Sequence, residues 1–310
     1  MGTAEFAVPP LRMLAGRSDV EVVLVVSQPD RPAGRGRQPQ PPPVAVAARE
    51  LGLDLFQPES LKSDEAFERL SALRPELIVV TAYGQILRQR VLDIPRRGCV
   101  NVHASLLPRW RGAAPISWAV TAGDAVTGVA VMRMERGLDT GPVLDQRVVM
   151  IRDAETAGEL HDRLAPLGAE LLGSLLPGIL DGSVEPVPQP QARSSYARML
   201  TRADRRVDFA APARAVTDHV NGMTPWPGAA TRIGDELVLL CRAAAAGDSA
   251  GGLAPATVVA ADERGLIVAC GDGQAVRILE LQRAGRRRMA ASEALRGWSL
   301  APGTQLADVD

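Results

Sequence analysis

The chain has 310 residues, of which 46% are apolar and 23% are charged, and its formal net charge at pH 7 is −1. This length allows two ordinary domains, and the balance of apolar and charged residues is that of a globular protein rather than a disordered one. A nearly neutral chain excludes a whole-protein electrostatic attraction to nucleic acid, so a nucleic-acid partner would require a local basic patch.

The cysteine content and the hydropathy pattern indicate where the protein works. Cys99, Cys241 and Cys270 are far apart and odd in number, and no pair has the spacing of a metal site. No apolar run reaches the roughly 18 residues of a membrane helix, and the N-terminus has no secretory pattern. We therefore expect a cytoplasmic protein with reduced thiols, no metal and no membrane contact.

The first part of the chain alternates between two patterns. Runs rich in β-branched residues, which suit strands buried on both faces, lie at 21–27, 76–83, 99–105 and 127–134. Helical patterns lie at 44–51, 65–73, 115–122 and 156–180. This alternation predicts an α/β domain over residues 1–180, Rossmann-like and doubly wound, with a mostly parallel sheet.

The pattern changes after residue 180. The stretch from Asp181 to Gln191 is rich in proline and lacks periodicity, so we interpret residues 181–199 as an extended linker. Short strand patterns separated by turn signals then follow at 228–233, 236–242, 256–261, 265–270 and 275–282. They predict that residues 200–310 form a small OB-like β-barrel domain.

Three polar residues stand out as candidates for chemistry. Asn101 and His103 end a predicted buried strand, where the ligands of open α/β sheets bind, and residues two apart on a strand face the same side. An amide beside an imidazole can stabilise an oxyanion, and the imidazole can also move a proton. A carboxylate such as Asp139, in a glycine-flanked loop, can orient the imidazole. Singly, each has an ordinary alternative: a structural histidine, a turn aspartate or an asparagine that binds backbone groups.

The surrounding motifs make the interpretation specific, because they resemble the methionyl-tRNA formyltransferase family over nearly the whole chain. The first is NVHASLLPRWRGAAPI, from Asn101 to Ile116, and the second is GLDTG, from Gly137 to Gly141. Further similar segments are QPDRPAGRG (28–36), AYGQIL (82–87), PWP (225–227) and AGRRRM (284–289).

The resemblance implies transfer of a formyl group from 10-formyltetrahydrofolate to the amino group of methionyl initiator tRNA. Asn101, His103 and Asp139 match the catalytic residues of the family. The residues that match its folate-contacting segments are Ser105, Leu106, Leu107 and Pro108, together with Tyr83, Gly84, Gln85, Ile86 and Leu87.

The resemblance also implies two tRNA-binding segments. The loop from Asp30 to Pro43 carries Arg31, Arg35 and Arg37, and a loop of this length inside a compact domain is usually functional. The residues that match the basic patch of the second domain are Arg283, Arg286, Arg287 and Arg288. We expect a monomer that binds folate and tRNA.

One departure concerns the beginning of the chain. In the family, the Gly-Thr pair seen here as Gly2 and Thr3 follows a hydrophobic first strand that this sequence lacks. We expect the neighbouring strands to be left with unpaired backbone groups and exposed apolar faces.

Four alternatives remain open at this level. A formyltransferase that acts on a UDP-amino-sugar shares both domains, glycinamide ribonucleotide formyltransferase shares only the first, and a folate-dependent formyl hydrolase uses no amine acceptor. From a different class, a non-catalytic tRNA-binding module would not need Asn101, His103 and Asp139 together.

Overall fold

The computed structural model describes residues 1–33 and 38–309, leaving aside the side chains of Ala33, Ala246 and Asp248. The chain packs into two compact units, each made of three segments. The first unit contains Met1–Gly112, Gly128–Val149 and His161–Tyr196. The second unit contains Ala113–Thr127, Met150–Leu160 and Ala197–Asp310.

The helices and strands follow the predicted order, with several additions. The α-helices are α1 (Val8–Ala15), α2 (Pro43–Glu50), α3 (Asp64–Ala72), α4 (Gln89–Leu92), α5 (Pro115–Thr121), α6 (Ala157–Asp181), α7 (Ala213–Gly222) and α8 (Ala291–Leu295). The strands are β1 (Val25–Val26), β2 (Arg31–Ala33), β3 (Gln38–Gln40), β4 (Leu55–Phe56), β5 (Ile78–Val80), β6 (Cys99–His103), β7 (Arg111–Gly112), β8 (Val126–Arg133), β9 (Val143–Met150), β10 (Tyr196–Ala197), β11 (Ala229–Ile233), β12 (Glu236–Ser249), β13 (Val258–Asp262), β14 (Gly265–Ala269), β15 (Gln274–Arg283), β16 (Met289–Ala290) and β17 (Leu306–Ala307). Single 3-10 turns lie at Glu5–Ala7, Gln191–Arg193 and Arg202–Arg205.

Strands of the first unit form a two-stranded sheet, β1-β4, and a four-stranded sheet, β5-β6-β8-β9, and the sequence analysis did not identify β4. β1 pairs with β4 and β5 pairs with β6, both in parallel. β8 runs antiparallel to β6 and is followed in the sheet by β9, a strand that the sequence analysis did not identify. In the strand order β5-β6-β8-β9, β9 lies at the end of this sheet. The Rossmann-like fold class is confirmed.

The first residues of the chain lie between β1 and β5. The Gly2 N–H donates to the Val26 carbonyl at 2.9 Å, and the Thr81 N–H donates to the Met1 carbonyl at 2.9 Å. Gly2 also forms a parallel bridge with Thr81. The carboxyl ends of the two strands, the ends at which ligands bind in such sheets, are therefore connected by hydrogen bonds.

The amino ends of the same strands border an apolar cavity of about 710 Å³, lined among others by Val22, Leu24, Leu77 and Leu176. The predicted strand over 21–27 is accordingly reduced to β1, because a strand exists only where a neighbour accepts its hydrogen bonds. The expected loss of pairing is thus confined to one end of the sheet.

The long helix α6 is apolar because it belongs to the core. By length and composition it could cross a membrane, and such helices are also found in protein cores. The side chains of Leu164, Leu171, Leu172 and Ile179 are at most 1% exposed within the protein. Packing therefore accounts for its apolar character.

The second unit is built on one antiparallel sheet. Its order is β13-β14-β15-β12-β11-β17, and β16 pairs with β15. β11 to β15 correspond to the five predicted strands, and β12 is longer than predicted. α7 is attached to this sheet by the amide of Asn221, which donates to the Ala243 carbonyl and accepts from the Ala243 N–H, both at 2.9 Å. This curled antiparallel sheet agrees with the predicted OB-like domain.

His219 on α7 provides a pH-dependent contribution to the stability of the second unit. Its ring Nε2 is buried without a hydrogen-bond partner among the described residues. Burial lowers the pKa of His219, and the nearby charges of Asp204 and Asp208 only partly oppose this. The folded state therefore favours the neutral imidazole.

We predict that the free energy of unfolding falls as the pH decreases below about 6.5, because the unfolded chain then binds a proton that the folded chain does not accept at His219. Urea unfolding midpoints at pH 7.5 and 5.5 measure this loss. His219→Gln does not titrate and should lose less between the two pH values. Equal losses in both proteins would show that His219 does not contribute.

Candidate active site

Asn101 and His103 lie on β6, the central strand that pairs with β5 on one side and β8 on the other. Val80 is paired with Asn101, and His103 is paired with Ala130. Alternation along the strand directs both side chains to the same face. His103 is buried and Asn101 is half-buried, so the two polar groups lie at the border between the core and the surface.

The imidazole of His103 is held from two sides. Its Nε2 lies 2.9 Å from the backbone carbonyl oxygen of Trp110. Because a carbonyl can only accept, this contact assigns a proton to Nε2. Nδ1 then faces Oδ2 of Asp139 at 3.7 Å, and the side chains of the pair are only 6% and 14% exposed. A proton that arrives on Nδ1 would therefore create an imidazolium next to a carboxylate.

The carboxylate of Asp139 connects three segments of the chain. Its Oδ1 accepts from the Asn101 amide at 3.3 Å, and its Oδ2 accepts from the Gly112 N–H at 2.9 Å. The backbone of Asp139 is left-handed, with φ of 51°. Aspartate tolerates this region better than most residues. Asn101, His103 and Asp139, which the sequence analysis selected together, form one cluster.

The segment after β6 forms a tight turn beside this cluster. The hydroxyl of Ser105 donates to the Arg109 carbonyl at 2.6 Å, and the Leu107–Pro108 peptide bond is cis. The Arg109 guanidinium stacks over the Trp110 ring at 4.5 Å. This turn brings the Trp110 carbonyl to His103 and the Gly112 N–H to Asp139.

Two of the predicted folate-contacting side chains in this turn belong to the core. Ser105 is fully buried, and Leu107 packs with Ala130, Met132 and Val143. Leu106 and Pro108 are half-buried. A ligand would therefore meet Leu106, Pro108 and backbone groups here.

The second predicted folate segment, Tyr83 to Leu87, is anchored by its first residue. The Tyr83 carbonyl accepts from the Thr3 hydroxyl at 2.7 Å and from Nε2 of Gln28 at 2.9 Å. The Tyr83 side chain is buried, and burial raises its pKa to about 12, so the phenol is neutral. Gln85 accepts from the Leu61 N–H at 3.1 Å.

The end of this segment presents one apolar side chain to solvent. Leu87 is buried, whereas Ile86 is 81% exposed. An exposed branched side chain next to a left-handed glycine, Gly84, can contact a ligand without any rearrangement of the core.

Comparison with known proteins identifies the family. The model of the formyl transferase family matches residues 4–176, and the model of the formyl transferase C-terminal domain matches residues 199–299. The methionyl-tRNA formyltransferase of Citrifermentans bemidjiense is 46% identical over 310 residues, covering 100% of this chain and 96% of that protein. That of Halorhodospira halophila is 50% identical over 306 residues, covering 97% and 96%. The chain belongs to the methionyl-tRNA formyltransferase family.

Solved structures support the fold at a greater distance. An N-formyltransferase from Helicobacter canadensis, in complex with folinic acid and dTDP-3-aminofucose, has a TM-score of 0.66 at 16% identity and covers 89% of this chain and 96% of its own. The sugar 3N-formyl transferase WlaRD also has a TM-score of 0.66, at 17% identity, covering 92% and 97%. At these identities the comparison bears on the fold alone.

The arginines that match the family's tRNA-binding segments have different environments in this formyltransferase. Arg31 lies exposed in β2, which pairs with β3, so the predicted loop contains a β-hairpin. Arg35 and Arg37 lie outside the described residues.

In the second unit, the matching arginines are mostly engaged in ion pairs. Arg283 donates to both oxygens of Glu236 and stacks over Trp298 at 4.3 Å. The other pairs are Arg287 with Glu293 and Arg288 with Glu280, both at 2.6 Å. The hydrogen bonds from Arg283 lower the pKa of Glu236, and the charge of the exposed Arg286 makes a smaller contribution in the same direction.

The two other histidines do not take part in the cluster. His161 packs its ring edge-on against Phe6 at 5.5 Å and lies 3.0 Å from Asp162. His219 lies on α7 of the second unit. Among residues 1–33 and 38–309, no group of three or more histidines, cysteines or carboxylates is arranged to hold a metal ion.

Three groups at the site were not identified from sequence: the Trp110 carbonyl, the Gly112 N–H and the side chain of Gln189, which donates to the carbonyls of Asp139 and Gly141. Trp110 and Gly112 lie inside the NVHASLLPRWRGAAPI segment, but the sequence of side chains does not show which backbone groups contact the site. Gln189 lies in the proline-rich stretch, where nothing in the pattern distinguishes it from a linker residue.

Gly84 offers a test of how tightly the Tyr83 to Leu87 segment is fixed. A Cβ atom there would lie 2.4 Å from Nε2 of Gln28, at φ of 82°, whereas a Cβ at Gly52 would meet nothing within 4 Å at φ of 67°. We predict that both alanine variants lose about 1 kcal/mol from backbone strain. Gly84→Ala should lose roughly 1 kcal/mol more, because Gln28 must leave the Tyr83 carbonyl. Equal losses in urea unfolding would show that Gln28 moves aside freely.

Proposed function

We propose that Asn101, His103 and Asp139 form the site at which this chain transfers the formyl group of 10-formyltetrahydrofolate to the amino group of methionyl initiator tRNA. The observation that carries this proposal is the carboxylate of Asp139, which lies between the Asn101 amide and the His103 imidazole at the end of a buried strand. Acyl transfer to an amine requires an oxyanion donor and a route for one proton, and this cluster provides both.

In the first step, the uncharged amine of the aminoacyl-tRNA attacks the formyl carbon, a C–N bond forms, and the carbonyl electrons move to oxygen. The Asn101 amide and a protonated His103 stabilise this oxyanion. Asp139 stabilises the imidazolium through the short separation between its Oδ2 and Nδ1 of His103. Enclosure of the pair strengthens these interactions, because water screens them poorly there.

In the second step, the bond between the formyl carbon and N10 of the folate breaks. The attacking nitrogen gives up one proton and N10 gains one, so the proton count balances. His103 can carry this proton when its Nε2 leaves the Trp110 carbonyl and turns to the substrate, with Asp139 remaining beside the ring. No covalent intermediate with the protein is needed.

We propose that the folate lies against Ser105 to Pro108 and Tyr83 to Leu87. Because Ser105, Leu107, Tyr83 and Leu87 are buried, contacts from these segments come from backbone groups and from Leu106, Pro108, Gly84, Gln85 and Ile86. The exposed Ile86 side chain is suited to the face of a flat aromatic ring.

The tRNA is proposed to bind through Arg31, Arg35 and Arg37 and through Arg283, Arg286, Arg287 and Arg288. We further propose that residues 1–180 form the catalytic domain, 181–199 the linker and 200–310 the tRNA-binding domain. The limits of the two family matches, which end at 176 and resume at 199, support this division. The protein is proposed to act as a cytoplasmic monomer without membrane contact.

The acceptor distinguishes this proposal from its closest alternative. The methionyl-tRNA formyltransferases of Citrifermentans bemidjiense and Halorhodospira halophila are 46% and 50% identical to this chain. The sugar 3N-formyl transferase WlaRD and the Helicobacter canadensis N-formyltransferase in complex with dTDP-3-aminofucose are only 17% and 16% identical. An assay that offers both kinds of amine decides between them.

We predict that the purified chain formylates methionyl initiator tRNA in the presence of 10-formyltetrahydrofolate. Asn101→Ala should lower kcat by about 10²–10³-fold, since it removes one oxyanion donor, and His103→Ala should abolish turnover. His161→Ala serves as the control and should retain activity. Full turnover by His103→Ala would contradict the proposed site, and formylation of an amino-sugar but not of tRNA would contradict the proposed acceptor.

A second prediction concerns the basic patch. Arg286→Ala should reduce the slope of log K against log salt for tRNA by roughly 0.7–0.9, the value of one phosphate contact. Arg264→Ala removes the same charge from the turn between β13 and β14, where Arg264 pairs with Asp262 at 3.0 Å, and should leave the slope unchanged. Equal slopes for Arg286→Ala and the unmodified protein would exclude a phosphate contact at Arg286.

A further inference from the structure

Several residues of the proline-rich stretch before residue 196 form hydrogen bonds with the rest of the first unit. Val187 and Val143 exchange two backbone hydrogen bonds of 2.8 Å. Further along, the Ser195 N–H donates to the Pro108 carbonyl at 3.3 Å, and the Arg111 N–H donates to the Ser195 carbonyl at 2.9 Å. This part of the predicted linker therefore forms a wall of the candidate active site.

Gln189 in this wall uses both ends of its amide. Its Nε2 donates to the carbonyl of Asp139 at 2.9 Å and to that of Gly141 at 2.6 Å. Its Oε1 accepts from Nε and Nη2 of Arg111 at 2.9 and 2.8 Å. A glutamine amide has two donor hydrogens and an oxygen with two acceptor sites, so these four bonds use its full capacity.

The oxygen and the nitrogen of this amide each hold a segment that contacts the candidate cluster of Asn101, His103 and Asp139. Arg111 is buried, and its backbone lies between Trp110, whose carbonyl contacts His103, and Gly112, whose N–H contacts Asp139. The other end holds the backbone of Asp139 itself. Gln189 is thus connected to the imidazole through the turn at Arg111 and to the carboxylate through the loop at Asp139.

The loop needs such support because its backbone is strained. Asp139 has φ of 51°, in the left-handed region that is unfavourable for a residue with a side chain, although aspartate tolerates it better than most. Strained conformations persist only where the surroundings determine them. Without the two bonds from Gln189, the loop could relax and move the carboxylate away from Nδ1 of His103.

We propose that Gln189 is a positioning residue for the transfer reaction, which holds the carboxylate of Asp139 against His103 by binding the backbone of the 139–141 loop. This proposal rests on the function proposed above. The bonds to Asp139, Gly141 and Arg111 use the full hydrogen-bonding capacity of the Gln189 amide, so its removal should affect kcat rather than the KM of either substrate.

The decisive variant is Gln189→Glu. It keeps the oxygen that accepts from Arg111 and replaces only the donor that faces the two carbonyls. If Gln189 served merely to satisfy Arg111, a carboxylate would do so equally well. We expect kcat to fall roughly 10- to 100-fold, the effect of misplacing a catalytic group by about 1 Å, with both KM values unchanged.

Two further variants keep the test independent of one substitution. Gln189→Met removes donor and acceptor together and should show the same loss of kcat if Gln189→Glu does not fold. Gln191→Met is the matched control, since Gln191 accepts from Nη1 of Arg111 at 2.9 Å and is on the same segment. It should retain kcat within about threefold, because a single hydrogen bond to Arg111 is lost.

A double-mutant cycle tests whether the effect passes through Asp139. In an Asp139→Ala background, Gln189→Glu should lower kcat no further than about twofold, because the group that it positions is already absent. Multiplicative losses, wild-type kcat in both Gln189 variants, or a rise in KM without loss of kcat would each overturn the proposal. His103→Ala is measured alongside: if it is fully active, the proposed function itself fails, whereas an inactive His103→Ala with active Gln189 variants refutes only the positioning role.

Discussion

The candidate site depends on one carboxylate that three distant segments share. Asp139 accepts from Asn101 on β6 and from the Gly112 N–H after the Trp110 turn, and it faces Nδ1 of His103. A carboxylate that is only 14% exposed is stable in its charged form only where it receives hydrogen bonds or lies near a positive charge. The same requirement that stabilises the buried charge therefore aligns the amide and the imidazole to which we assign the proposed reaction.

The sheet makes this alignment possible at one of its ends. Strand alternation directs Asn101 and His103 to one face of the sheet. The pairing of β6 with β5 and β8 fixes the position of both residues along the strand direction. Met1 to Thr3 join β1 to β5 at the carboxyl ends, whereas the cavity of about 710 Å³ lies toward the amino ends. Loose packing is thus located away from the catalytic cluster, so a loss of core contacts at the cavity lowers stability without displacing the site directly.

The sequence could predict those features that depend on the type and spacing of side chains. The alternation of Asn101 and His103 on a buried strand is visible as a spacing, and the loop around Asp139 is visible from its glycine neighbours. The length of β1 was wrong in the prediction because the apolar run of residues 21–27 specifies burial, whereas strand pairing depends on a neighbour elsewhere in the chain. The contacts of Gln189 could not be predicted at all, since they link a side chain to backbone carbonyls about 50 residues earlier and no local pattern encodes such a distance.

The arginines of the second unit show why a basic motif alone does not define a phosphate-binding surface. Arg283 is committed twice, to both oxygens of Glu236 and to the Trp298 ring, so its exchange for a phosphate would break a bidentate pair and a stacking contact. The pairs of Arg287 and Arg288 are exposed on at least one side, and such pairs contribute only about 0–1 kcal/mol. A phosphate can therefore replace the carboxylate of Glu293 at little cost, whereas Glu280 is also paired with Arg242 at 3.0 Å. The chain has a net charge of −1. The weak pairs keep the arginine side chains extended at the surface, and the paired glutamates reduce the nonspecific attraction of polyanions. The affinity for a polyanion then comes from the few cations that can exchange partners, and it must fall as salt screens them.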